Sequence, residues 1–148
     1  MSQKLTSQPP PLALSMVLAD HVHRDSASGK FFILGTYNTL LAPSFPRACQ
    51  PLVVYAALTD AHGPVPLRLV LTDADEELGA ICAAEGAAQA DDPTKVWEVV
   101  FLLRGVVPPR PGQYRLQLFS GASLLRELRL EARQTGVGVA NGGMPVPD

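Results

Sequence analysis

Residues 114–131 read YRLQLFSGASLLRELRLE, and this stretch decides the fold. Tyr114, Leu116 and Leu118 alternate with Arg115 and Gln117, the period-two pattern of a strand with one face in a core and one in water. Ser120-Gly121-Ala122-Ser123 then turns the chain. On the far side Leu124, Leu128 and Leu130 share one parity, while Glu127, Arg129 and Glu131 share the other. The spacing predicts a hairpin. Arg126 breaks the inward parity, which suits a position near a sheet edge where its stem covers apolar surface and its head reaches water.

Working outward, the same grammar repeats. Leu67, Leu69 and Leu71 alternate with Arg68 and Thr72 between the turn sequences Ala61-His62-Gly63-Pro64 and Asp73-Ala74-Asp75. Leu12 to Ala19, Phe31 to Leu41, Leu52 to Leu58 and Val96 to Leu103 are more continuously apolar, as expected of strands covered over most of their length. Pro43, Pro46 and Pro51 bracket one loop, and Pro108, Pro109 and Pro111 another, because proline cannot donate a ladder hydrogen bond. Asp75 to Ala90 has Leu78, Ile81 and Cys82 at helical spacing, but Gly79 and Gly86 oppose a helix, and a strand over about Leu78 to Ala84 fits the context better. The sum is an all-β, antiparallel two-sheet sandwich of seven or eight strands.

Of the 148 residues, 47% are hydrophobic and 18% charged, enough for one core. Residues 1–11, polar and ending in Pro9-Pro10-Pro11, read as an extended arm, residues 12–134 as the sandwich, and residues 135–148 as a flexible Gly- and Pro-rich tail. Twelve Lys plus Arg against fourteen Asp plus Glu leave a formal charge of −2, without the basic footprint of a nucleic-acid binder. No apolar stretch reaches the roughly 18 residues of a membrane span and no signal-peptide pattern opens the chain, so a cytoplasmic location is expected. Cys49 and Cys82 make neither a disulfide framework nor a zinc site by themselves, and read as small interior side chains.

The stretch Ala19-Asp20-His21-Val22-His23-Arg24-Asp25, closed by Gly29-Lys30 and followed by Phe32-Ile33-Leu34-Gly35-Thr36-Tyr37, resembles the opening of an uncharacterised bacterial family of immunoglobulin-like β-sandwich domains. Phe45-Pro46 and Pro111-Gly112-Gln113-Tyr114-Arg115 are similar to its pattern as well. The resemblance spans residues 12–132 and implies a two-sheet sandwich with no assigned activity. Where its pattern leads one to expect an aspartate after the aromatic, this chain has Asn38 after Tyr37.

Three clusters are candidate sites. His21, His23 and Asp25 would lie on one face of an extended strand and could offer two imidazoles and a carboxylate to a metal; the plainer reading ends the strand near Asp20 and gives Asp20 and Asp25 to a turn, with Arg24 paired to one of them. Asp73, Asp75, Glu76 and Glu77 could supply oxygens to calcium, or simply make a polar turn. From Asp73 through Asp92 there are seven acids and no base, whereas Arg104, Arg110, Arg115, Arg126, Arg129 and Arg133 face only Glu127 and Glu131 between Leu103 and Gln134. Trp97 and Tyr114 read as core or sheet-face aromatics. No nucleophile elbow, phosphate-cradling loop or dinucleotide fingerprint is present, so the sequence assigns no catalytic residue and no cofactor. A non-catalytic module that engages a protein partner or a second copy is the favoured expectation, with neither nucleic acid nor membrane as partner. A metal- or small-ligand-binding domain centred on Asp20 to Asp25, with hydrolysis as its most ambitious form, is the alternative.

Overall fold

The computed structural model describes residues 9–75 and 77–136. Among the described residues nine strands follow one another: β1 (Leu12–Arg24), β2 (Phe31–Thr36), β3 (Thr39–Ala42), β4 (Leu52–Thr59), β5 (Gly63–Asp73), β6 (Ala80–Ala90), β7 (Trp97–Leu103), β8 (Gly112–Ser120) and β9 (Ser123–Gln134). They form a four-stranded sheet in the order β2-β1-β4-β7 and a five-stranded sheet in the order β3-β9-β8-β5-β6. Among the described residues no helix is long and apolar enough to cross a membrane.

The core follows from alternation. Leu52, Val54, Ala56 and Leu58 of β4 join Val65, Leu67, Leu69 and Leu71 of β5 and Leu116 and Leu118 of β8 in one apolar cluster, all of them buried. Each large side chain taken from water here contributes roughly 1.5–3 kcal/mol. At one side of the sandwich Phe101 of β7 lies over Gly86 of β6, a position at which an added Cβ would stand 3.2 Å from the ring. Glycine there lets the aromatic ring lie close against the strand.

The structure corrects the sequence reading in four places. First, Phe31 to Leu41 is not one strand but two, β2 and β3, in opposite sheets. The Tyr37 amide still donates to Leu18 of the first sheet, at 3.2 Å, while the Asn38 carbonyl already accepts from Glu131 of the second, at 3.0 Å. The chain crosses between them. The strands described therefore number nine, not seven or eight, and β3 pairs with β9 in parallel, so the second sheet is mixed.

Second, the final hairpin is confirmed but carries a register shift between Leu118 and Phe119. Phe119 stands opposite Leu124 and Leu118 opposite Arg126, so Leu125 is the extra residue and packs toward the core while Leu124 is 48% exposed. Arg126 keeps its inward parity at the sandwich rim, where Nη1 donates to the Ala13 carbonyl across the sheets at 3.1 Å. Third, β6 runs from Ala80 to Ala90, later and longer than the strand expected over Leu78 to Ala84. Fourth, β1 extends to Arg24 instead of ending near Asp20.

Residues 1–8 of the expected arm, Glu76 of the acidic turn and residues 137–148 of the expected tail lie outside the described residues.

Candidate functional site

Two of the clusters singled out in the sequence meet different fates. β1 and β2 form a hairpin in which His21 stands opposite Leu34, and His23 opposite Phe32. Phe31, near the hairpin tip, has its ring 5.6 Å from that of Tyr55 on the outer face of β4, so the hairpin bends back over that face. Its inner side, with Val22, Phe31 and Ile33, is half-buried. His21, His23, Phe32 and Leu34 lie on the other side, Phe32 and Leu34 being 51% and 54% exposed. The two imidazoles thus share one exposed face, as an extended strand requires.

Asp25 begins the turn that closes this hairpin. Its Oδ2 accepts the Ser28 amide at 2.8 Å, and its carbonyl accepts the Gly29 amide at 2.7 Å. The Ser28 hydrogen bonds, aided by nearby His23, hold the carboxyl below its ordinary value. Arg24 pairs with neither aspartate. Its guanidinium lies over the Phe31 ring, 5.3 Å from the centroid.

Asp73, Asp75 and Glu77 bring one oxygen each within 4.8 Å of one another. Asp73 is already committed, however: its two carboxylate oxygens accept the amides of Leu78 at 3.0 Å and Glu77 at 3.1 Å, and Arg110 stands 3.9 Å away. Burial works to raise its pKa, but the two amides and Arg110 outweigh it and the net shift is downward. Next to this turn Tyr114 anchors the last hairpin by donating its hydroxyl to the Arg110 carbonyl at 2.5 Å. A tyrosine at the start of a strand, bonded to backbone a few residues upstream, is a hallmark of immunoglobulin-like sandwiches.

A third constellation escapes the sequence reading. Asp20, in the second half of β1, does not serve a turn: its Oδ1 accepts the side-chain amide of Gln50, thirty residues away, at 3.0 Å. Its Oδ2 lies against Gly35, where a Cβ would come within 2.5 Å and where φ is +73°. Glycine alone accepts both conditions without strain. Tyr37 and the loop between β3 and β4 complete a recess of about 400 Å³ that also includes Leu41, Pro43, Arg47 and Cys49. The Tyr37 hydroxyl is shielded from solvent beside the Gln50 side-chain amide. Burial pushes its pKa up, tempered by the adjacent Gln50 and reinforced by Asp20. Burial likewise pushes up the Cys49 thiol. Asp20, Gly35, Tyr37 and Phe45-Pro46 belong to the stretches that carry the family resemblance; the signal available in sequence is a glycine inside an otherwise apolar strand, which often marks a close approach by another group.

Cys49 and Cys82 are both half-buried free thiols packed at the margin of the core. Trp97 is also packed against it, and Tyr114 is within it.

No curated protein matches this chain. Among solved structures it is similar to the alkylpurine DNA glycosylase AlkC of Pseudomonas fluorescens bound to DNA containing an abasic site analog, at 9% identity and a TM-score of 0.50, over 86% of this chain and 31% of that one. A glycosyl hydrolase family 2 member from Bacteroides cellulosilyticus matches at 13% identity and 0.46, over 88% of this chain and 16% of its own. An immunoglobulin-like protein from Pseudomonas aeruginosa matches at 12% identity and 0.41, over 86% and 99%. At such identities likeness bears on fold alone, and the chain spans less than a third of the first two proteins. The two-sheet β-sandwich expected from the sequence is what this protein has. The pattern of a family of unknown function, DUF6941, covers residues 14–133, and the chain belongs to that family.

Proposed function

We propose that this domain is a non-catalytic association module that pairs with a second copy of itself through β6. The observation behind this reading is the edge that β6 presents. It is the outermost strand of the five-stranded sheet and eleven residues long, yet it carries one charged side chain, Glu85, and no proline. Unprotected edges of that length are templates for strand pairing, which is why most are interrupted by lysine, proline or repeated bulges. The one irregularity in its pairing with β5 lies at its start, next to Leu71.

An antiparallel pair of β6 strands related by a two-fold axis at Ala87 sets Glu85 of each copy across from Gln89 of the other, so no like charges are directly opposed. Small residues, Gly86 and Ala88, meet at the remaining positions. Each copy then satisfies the main-chain groups that the other leaves to water.

Light scattering coupled to size exclusion tests this over a concentration series. A dimer mass in the native chain, lost in Ala87→Lys, which opposes two ammonium groups at the axis, supports the reading. Oxidation of Ala87→Cys in a Cys49→Ser, Cys82→Ser background should give a covalent dimer. A monomer mass at every concentration and no cross-link would refute it.

A second reading places a metal at His21, His23 and Asp25, and it rests on the shared exposed face of the two imidazoles. Elemental analysis of purified protein tests it: a stoichiometric transition metal supports it, whereas a trace content with no thermal shift on adding zinc, nickel or manganese removes it.

A further inference from the structure

The geometry points to a binding site for a small zwitterion, of the α-amino acid class, in the recess lined by Asp20 and Arg47. Three observations converge there. The recess encloses about 400 Å³, within the range of roughly 300–1,000 Å³ typical of small-molecule sites. Its lining carries one carboxylate, Asp20, and one guanidinium, Arg47. And Asp20 is held in place, on one oxygen by Gln50 and on the other by the room that a left-handed glycine leaves.

These features specify chemistry. A lone anion is opposed by Asp20 and a lone cation by Arg47, but a molecule bearing both charges matches both groups. Its ammonium group would donate to Asp20, and its carboxylate would accept from Arg47 in the charge-assisted, planar geometry that guanidinium favours. Leu41, 61% exposed, and Pro43 offer an aliphatic wall to the remaining side chain. Aliphatic amino acids fit that wall best. None of these residues lies on β6, so the site is independent of the proposed association.

The test is calorimetry and thermal denaturation of the full chain with leucine, with isoamylamine, which keeps the ammonium and loses the carboxylate, and with 4-methylpentanoate, which does the reverse. Leucine should bind and raise Tm with the logarithm of its concentration, and the single-charge analogues should not. Asp20→Asn retains the acceptor for Gln50 and should fold normally while weakening leucine binding by at least about tenfold, the size of one charge-assisted hydrogen bond. Arg47→Gln, on an exposed loop position, should do the same and serves as the second variant if Asp20→Asn folds poorly. No response to leucine at millimolar concentration, equal response to either analogue, or leucine binding undiminished by the folded variants would each overturn the assignment.

Discussion

Asp20 and Asp73 are both aspartates carried on strands, yet the molecule uses them in opposite ways. Asp73 is buried and spends both oxygens on amides four and five residues ahead, with Arg110 behind it. Asp20 is exposed, holds a side chain from a distant loop, and opens onto a recess. An acid-rich run is conspicuous in sequence, but its carboxylates are neighbours of their own turn amides and tend to be consumed by them. A carboxylate whose partners come from separate segments has no such local outlet, and the recess beside it stays open to a ligand.

The contrast breaks most visibly at Asp73. Asp73→Ala strands two amides and removes one of the two carboxylates beside Arg110, and should lower Tm more than Gly35→Ala, Tyr114→Phe or Asp20→Asn while leaving the leucine response intact; a small fall would mean that the turn is not held by this carboxylate. Its ionisation supplies a pH signature. Because the folded pKa lies below the ordinary carboxylate value, its contribution is fully present above that value, about pH 4, and is lost as pH falls through the folded pKa. Asp73→Asn should therefore flatten the acid limb of a Tm against pH curve, and an unchanged limb would contradict the assignment.

Gly35→Ala comes next. A left-handed conformation costs a residue with a Cβ about 1–2 kcal/mol, and the added methyl must also push Asp20 from its place. Chemical denaturation measures the first effect and calorimetry the second: leucine binding should weaken although the carboxylate is still present. Tyr114→Phe removes one hydrogen bond to the Arg110 carbonyl, with a loss of about 1 kcal/mol expected from a buried bond of this kind, and should leave the recess untouched. Asp20→Asn should move stability least, within about 0.5 kcal/mol as for other exposed positions, while weakening the ligand response. Stability loss without binding loss on one side, and the reverse on the other, is the pattern that sharpens the contrast.

Much of the sandwich is legible in the sequence because alternation is a local signal. Leu67, Leu69 and Leu71, or Tyr114, Leu116 and Leu118, announce an inward face without reference to any other strand, and the turn residues between them mark where each strand ends. Alternation fails where one residue's place depends on a partner strand. Parity turns Leu124 inward, but a bulge paired against β8 inserts Leu125 and reverses it. The run Phe31 to Leu41 reads as continuous because both β2 and β3 are apolar, and only pairing with Leu18 on one side and Glu131 on the other reveals the crossing at Tyr37-Asn38. An extended β1 puts His21 and His23 on one face, as found; that they lie beside exposed Phe32 and Leu34 requires the register of β2.

The amino-acid order by itself determined the all-β class, the turn positions and the apolar faces, since these follow from side-chain polarity at fixed intervals along an extended backbone. Tertiary structure decided the exchange of β3 between sheets, the open edge of β6 and the meeting of Asp20, Gly35, Tyr37 and Gln50. Those depend on which strands become neighbours, a choice made by long-range burial that no short window of sequence contains.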